Sequence, residues 1–223
     1  MEYTHIIISR VGIKWYDEDG TLRCEKVGLT WDEWLKDSLH LYDTYCRNSL
    51  QNQTNQNFIL LSVFDESVTE YGNMLRNEHI IKVEKMKDIN KEIRKFIKEN
   101  VDTDLYLLSR LDRDDCYAFN FVDVLQNAVN HYLKAIDQFS PYYFDTDHLN
   151  RYDVVNNVLS LDTQKYAKVT SPFTSVLLSS PDVLFIYSGH SSIKNKLPGI
   201  KLPNLDTLQI IHGDNLANYV NGA

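Results

Sequence analysis

Residues 105–116 read LYLLSRLDRDDC, a short apolar strand from Leu105 to Leu108 that runs directly into three carboxylates within four positions, Asp112, Asp114 and Asp115. Carboxylates this close repel one another unless a cation or an arginine stands near. Open α/β sheets place their ligands at the C-terminal ends of buried strands. A hard divalent cation, which takes one or two carboxylates plus substrate phosphates, suits a D-x-D at such an end. The competing reading is a solvated acidic turn in which Asp114 or Asp115 caps the next helix. That helix is predicted by Phe121, Leu125, Val129, Tyr132, Leu133 and Ile136, which recur at helical spacing.

Working outward, short β-rich runs alternate with helical patterns, the signature of an α/β fold with a mixed, mainly parallel sheet flanked by helices. Thr4 to Ser9 is continuously apolar rather than alternating and predicts a strand buried on both faces. Val11 to Leu29, with a turn signal at Asp19-Gly20, reads as a hairpin or loop excursion. Thr30 and Glu33 form a capping box that opens a helix running to about Leu50. The polar QNQTNQN leads into a strand at Phe58 to Phe64, ended by Asp65-Glu66-Ser67. Asp88 to Glu99 is an amphipathic helix with a basic, solvated face. In the C-terminal third, Tyr142 to Phe144, Val154 to Leu161, Val183 to Tyr187 and Leu208 to Ile211 read as strands, and Ser171-Pro172-Phe173 as a loop or helix start. There is no repeat and no Pro- or Gly-rich linker, so residues 1–223 are expected to form a single domain. A chain that stops soon after its last motif also fits excision from a longer protein.

The 223 residues carry 31 acidic against 23 basic side chains, a net charge of -8, which removes the electrostatic basis for general nucleic-acid binding. Cys24, Cys46 and Cys116 stand singly, against a disulfide framework or a structural zinc site, and predict a reducing, cytoplasmic setting. No apolar run approaches the ~20 residues of a membrane span, and the N-terminus lacks the pattern of a signal peptide.

Counting from Asp112, an EF-hand loop would need glycine at its sixth position and glutamate at its twelfth, and finds Tyr117 and Asp123 instead. P-loop, G-x-G-x-x-G, G-x-S-x-G and H-E-x-x-H motifs are absent. His212, after the strand-like Leu208 to Ile211, is positioned to complete a metal site with the mid-chain aspartates, against the alternative of a hydrogen-bonded structural histidine. His5 and His40 read as structural, and His190 as a loop residue. Asp145-Thr146-Asp147-His148 is a second D-x-D, read as a loop or acceptor-side element.

The order HIIISR at residues 5–10, W-x-x-W-L from Trp31, Gln53-Thr54-x-x-Asn57-Phe58, SRLDRDDC at 109–116, SPF at 171–173 and IIHGDN at 210–215 resembles the putative rhamnosyltransferase family. That family stands among the nucleotide-sugar glycosyltransferases of the GT-A, Rossmann-like fold. The chain is also similar to the N-terminal glycosyltransferase domain of the chlorella virus protein that builds glycans on the major capsid protein. The resemblance implies Mn²⁺ or Mg²⁺ held by Asp112, Asp114 and His212, clamping the diphosphate of a nucleoside diphosphate sugar. It further implies that Asp115 ligates the cation or faces the sugar, and that Ser9, Arg10, Asp65, Arg110 and Asp112 line the donor. Asp145, Asp147, Asp153 and Asp182 compete for the acceptor-side base, with Asp182 taken for that role and Asp115 as its catalytic counterpart. The implied acceptor is a hydroxyl of a glycan or glycoprotein, in a viral host's cytoplasm if the protein is viral. Competing expectations are a metal-dependent phosphoesterase or nucleotidyltransferase using the same aspartates, and a carbohydrate-binding module with aromatic platforms.

Overall fold

The computed structural model describes residues 1–69, 71, 74–162, 170–181 and 190–212. Its first strand, β1 (Tyr3–Gly12), explains why HIII carries no alternation. Ile7 packs into a core that also contains Tyr42, Leu60 and Phe121, while Ile6 and Ile8 face the opposite core with Leu61, Ile93 and Ile97. A strand covered on both faces has no solvent side to mark with polar residues.

A long helical segment follows: α1 (Trp31–Leu41), a π-helical stretch at Tyr42–Arg47 and α2 (Asn48–Gln51). It begins at the predicted capping box, in which Thr30 Oγ1 accepts from the Glu33 backbone N–H and Glu33 accepts from the Thr30 N–H. Then come β2 (Ile59–Asp65), β3 (Glu78–Val83), α3 (Ile89–Asn100), β4 (Leu105–Arg110), the short β5 (Asp115–Tyr117) and α4 (Phe121–Ala135). The rest of the described chain adds β6 (Tyr142–Thr146), β7 (Leu149–Asp153), β8 (Val158–Asp162), β9 (Ser175–Leu178), β10 (Gly199–Leu202) and β11 (Thr207–Ile211).

Seven strands form the central sheet in the order β10-β6-β9-β4-β1-β2-β3. Only β9 runs antiparallel to its neighbours; β1 pairs in parallel with β2 and β4, β2 with β3, and β10 with β6. The mixed, mainly parallel sheet with helices on its faces is the expected architecture. A second sheet, β5-β11-β7-β8, stands beside it.

The structure corrects several boundaries. The predicted strand at Val154 to Leu161 is a hairpin instead, with β7 and β8 joined by a turn at residues 154–157. Asp153 accepts from the Val155 and Asn156 N–H groups there, and Asn157 takes φ 55°, which its short polar side chain tolerates. β3, β5, β7 and β10 form where the sequence carries no strand signal, and the SPF stretch opens into the buried strand β9. The strand expected at Val183 to Tyr187 lies outside the described residues.

The conspicuous Q-T-x-x-N-F element is architectural. Gln53 Nε2 donates to the Ser49 and Ala118 carbonyls, and Gln53 Oε1 accepts from the Val122 N–H at 3.0 Å. The Thr54 N–H donates to the Phe119 carbonyl at 2.8 Å, and Gln126 Nε2 to that of Asn57. The loop before β2 is thereby tied to the segment that follows the acidic cluster.

Candidate functional site

The C-terminal ends of β1 and β4 meet at Ile8 and Arg110, which are register partners, so Arg10 and Asp112 emerge side by side. In the pairing of β1 with β2, Arg10 faces Val63 and Gly12 faces Phe64, leaving Val11 as an extra residue. Such a bulge re-aims the side chains around it. A Cβ at Gly12 would lie 2.5 Å from Leu35 Cδ1, so glycine there lets α1 close over the strand end.

The three aspartates have three different surroundings. Asp112 accepts from Arg10 Nε and Nη2 at 2.8–3.1 Å and from Arg110 Nη2 at 2.9 Å, so both its oxygens are engaged. Burial alone would raise its carboxyl pKa, but Arg10 and then Arg110 outweigh burial and hold it well below the usual carboxylate range. Asp114 Oδ2 lies 3.0 Å from His212 Nε2. Asp115 is buried and its Oδ1 accepts from the Ile210 N–H; burial, followed by the charges of Asp114 and Asp112, pushes its carboxyl pKa well up.

The second sheet creates the Asp114–His212 pair. β11 runs antiparallel to β5, with Gln209 opposite Asp115, and continuing that register carries His212 back past Asp114. Ser49 Oγ supports β5 by accepting from the Tyr117 N–H.

Arg10, Asp112 and Asp114 open onto a cleft of about 150 Å³ whose other wall is the excursion between β1 and α1. Trp15, Trp31 and Trp34 all line it, and they are the three tryptophans of the chain. Trp31 and Trp34 stack at 5.3 Å, Arg113 lies over Trp34 at 4.5 Å, and Lys14 over Trp31 at 5.2 Å. Arg23 covers Trp15 at 3.5 Å while its Nε donates to Asp17, which Lys26 also grips at 2.6 Å. A bridge between Tyr16 and Leu22 makes the excursion the hairpin-like turn its Asp19-Gly20 signal implied. Its place in a cleft left no mark in the sequence, because the tryptophans meet only once the turn folds back.

The remaining expected residues fall in different places. Ser9 is fully buried with its hydroxyl against Cys46, so it does not face the cleft. Asp65, at the end of β2, accepts from the Ser67 N–H and pairs with Lys14 at 3.4 Å. Asp145 is fully buried and accepts from the Thr146 and Ser171 N–H groups and from Lys201, which makes it a structural carboxylate. Asp147 and Asp206 each lie 2.7 Å from a ring nitrogen of His148. Asp153 is spent on the hairpin turn, and Asp182 lies outside the described residues. His5 is the structural histidine expected, buried between Ser109 and Gln126 with a pKa lowered by burial to about 3. Burial pushes Cys116 up to about 12 and Cys46 well above the ordinary thiol value, so neither is an activated nucleophile.

Among the described residues no three carboxylate, imidazole or thiol groups converge as a ready-made metal cage. Asp114 and His212 nevertheless offer one carboxylate and one imidazole at a single point. That donor set fits a Mg²⁺ or Mn²⁺ ion whose other positions are filled by phosphate oxygens and water. No helix among the described residues is long and apolar enough to cross a membrane.

The sequence profile of a family described as "Putative rhamnosyl transferase" matches residues 12–223. No curated protein matches the chain. Among solved structures, S. aureus TarS 1-349 in complex with UDP is 15% identical over 68% of this chain, with a TM-score of 0.34. This chain spans 36% of that TarS chain. A putative nucleotide-diphospho-sugar transferase from Desulfovibrio desulfuricans G20 is 11% identical, covering 94% of this chain and 81% of its own, with a TM-score of 0.43.

Proposed function

The chain belongs to the putative rhamnosyl transferase family of glycosyltransferases, and from that premise we propose that it moves a sugar, rhamnose or another hexose, from a nucleoside diphosphate sugar to a hydroxyl of a glycan or glycoprotein. The observation that carries this reading is the cleft itself. It sets aromatic faces, guanidinium groups and the carboxylate of the Asp114–His212 pair around one space at the C-terminal ends of parallel strands. A nucleoside diphosphate sugar presents flat or apolar faces at its base and sugar and two negative charges between them, and each finds its complement here.

Trp15, Trp31 and Trp34 form an aromatic wall that holds Arg23 and Arg113 against the donor space, and Arg10 and Arg113 supply the positive charge facing the diphosphate. Asp114 and His212 would hold the divalent cation, which when bound offsets the charge that develops on the departing nucleoside diphosphate. The carboxyl of Asp115, raised by burial, lies behind them and keeps β5 against β11 through the Ile210 N–H. On the acceptor side, Asp145 and Asp153 are engaged in structural hydrogen bonds and Asp147 is paired with His148. Asp182, the candidate among the four that the family resemblance offers for this role, is the carboxylate this reading assigns to take the proton of the attacking hydroxyl.

The test is an incubation of the protein and Mn²⁺ with UDP-, GDP- and dTDP-sugars and a panel of glycan acceptors, with the released nucleoside diphosphate quantified. Release from one donor class, stimulated by an acceptor and lost in Asp114→Asn, supports the assignment. A folded protein that neither binds nor turns over any of these donors rules it out.

A further inference from the structure

We infer that Asp112, the first carboxylate of the D-x-D, is a positioning residue that holds the guanidinium of Arg10 ready for the donor's diphosphate, and does not itself ligate the cation. This rests on the donor class proposed above.

Three observations carry it. Both Asp112 oxygens accept from Arg10, and Oδ2 accepts from Arg110 as well, so the carboxylate is taken up by guanidinium groups, and among the described residues it does not join Asp114 and His212 in a three-ligand cluster. The Arg10 side chain is 21% exposed and that of Arg110 13%, so Arg10 is the guanidinium of the two that is more open to an incoming anion. Arg10 and Asp112 line the same cleft as Asp114 and Arg113, on a strand end fixed by the Val11 bulge. A guanidinium is a rigid fork that matches phosphate geometry, and one already immobilised loses little further freedom when the anion arrives. Asp112 thus acts on the diphosphate through Arg10, with Arg110 bracing the carboxylate from β4.

The two roles separate in a binding cycle. Affinity for UDP, GDP and dTDP is measured by calorimetry in Mn²⁺ and in EDTA for the wild type, Asp112→Asn, Arg10→Lys and Asp114→Asn, with thermal melts confirming the fold of each. Arg10→Lys keeps the charge and removes the fork, so it tests the same arrangement if Asp112→Asn fails to fold. The expected result is a loss of roughly tenfold to a hundredfold in nucleotide affinity for Asp112→Asn and Arg10→Lys, by the same factor in Mn²⁺ and in EDTA. The enhancement by Mn²⁺ then stays at its wild-type value, whereas Asp114→Asn abolishes it. Loss of the Mn²⁺ enhancement in Asp112→Asn, or wild-type nucleotide affinity in both the Asp112 and the Arg10 variants, overturns the positioning role and leaves the donor assignment standing. A wild type that binds none of the three nucleotides overturns the donor assignment and this inference with it.

Discussion

His212 Nε2 lies 3.0 Å from Asp114 Oδ2, although the two residues are 98 positions apart in the chain. They meet because β11 returns antiparallel to the short β5 that follows the D-x-D. If the pair holds the cation, the two variants should differ in degree. Asp114→Asn removes the charged ligand and should eliminate the Mn²⁺ dependence of nucleotide binding. His212→Ala leaves the carboxylate and should weaken Mn²⁺ affinity about tenfold to a hundredfold, by loss of one neutral ligand. Manganese titration followed by electron paramagnetic resonance, with nucleotide present, checks both. Wild-type manganese affinity in His212→Ala would return this imidazole to a purely structural role.

All three tryptophans line the proposed donor cleft, so tryptophan fluorescence, excited apart from that of the 14 tyrosines, reports on it. Nucleotide addition should change the emission saturably. Trp34→Phe should lower both the amplitude and the affinity, since that ring carries Arg113 on its face. A cation–π contact is typically worth ~0.5–2 kcal/mol, which sets the scale of the loss expected in Trp34→Ala. Binding that leaves tryptophan emission untouched would put the nucleotide somewhere else.

Gln53 makes three hydrogen bonds that join the end of α2 to the start of α4. Gln53→Ala would leave the buried Val122 N–H without this partner, whereas the Ala118 carbonyl keeps the Phe121 N–H, at a cost of about 1–3 kcal/mol in unfolding free energy. Chemical denaturation measures it. A change under about 0.5 kcal/mol, the range of ordinary surface substitutions, would show that water replaces the brace.

His148 sits between Asp147 and Asp206, linking the turn before β7 to the segment before β11. Burial alone would lower its pKa, but hydrogen bonds and charge from the two carboxylates prevail and raise it above the ordinary 6.5. A histidine with a raised folded-state pKa stabilises fully below its unfolded value and loses that contribution as pH rises through the folded one. The melting temperature of the wild type should therefore exceed that of His148→Gln most at or below pH 6.5, with the gap closing as pH rises beyond it. A gap independent of pH would show that the imidazole bonds only in its neutral form.

The sequence declared those parts of the molecule whose burial is uniform along the element. β1, β2 and β4 are covered on both faces and read as unbroken apolar runs, and α3 and α4 carry one buried stripe each. β3, at the sheet edge, mixes charged and apolar residues too briefly to show a period. β9 hides behind the turn-like Ser171-Pro172-Phe173, although all four of its residues are buried. The pairing of Asp114 with His212 could be anticipated because each residue ends a strand-like run. The occupation of Asp112 by Arg10 could not, since it depends on the register of β1 against β4 and on a bulge that has no composition of its own. The tryptophan wall was equally silent, held as it is by the Asp17–Arg23–Lys26 clasp.

Calorimetric titration of the wild type with nucleoside diphosphates, first in Mn²⁺ and then in EDTA, tests the account most directly. It predicts that one nucleotide class binds, that Mn²⁺ tightens the binding, and that Asp114→Asn binds equally with and without the metal. Absence of binding by a folded protein, or an Asp114→Asn variant with the full Mn²⁺ enhancement, would contradict it.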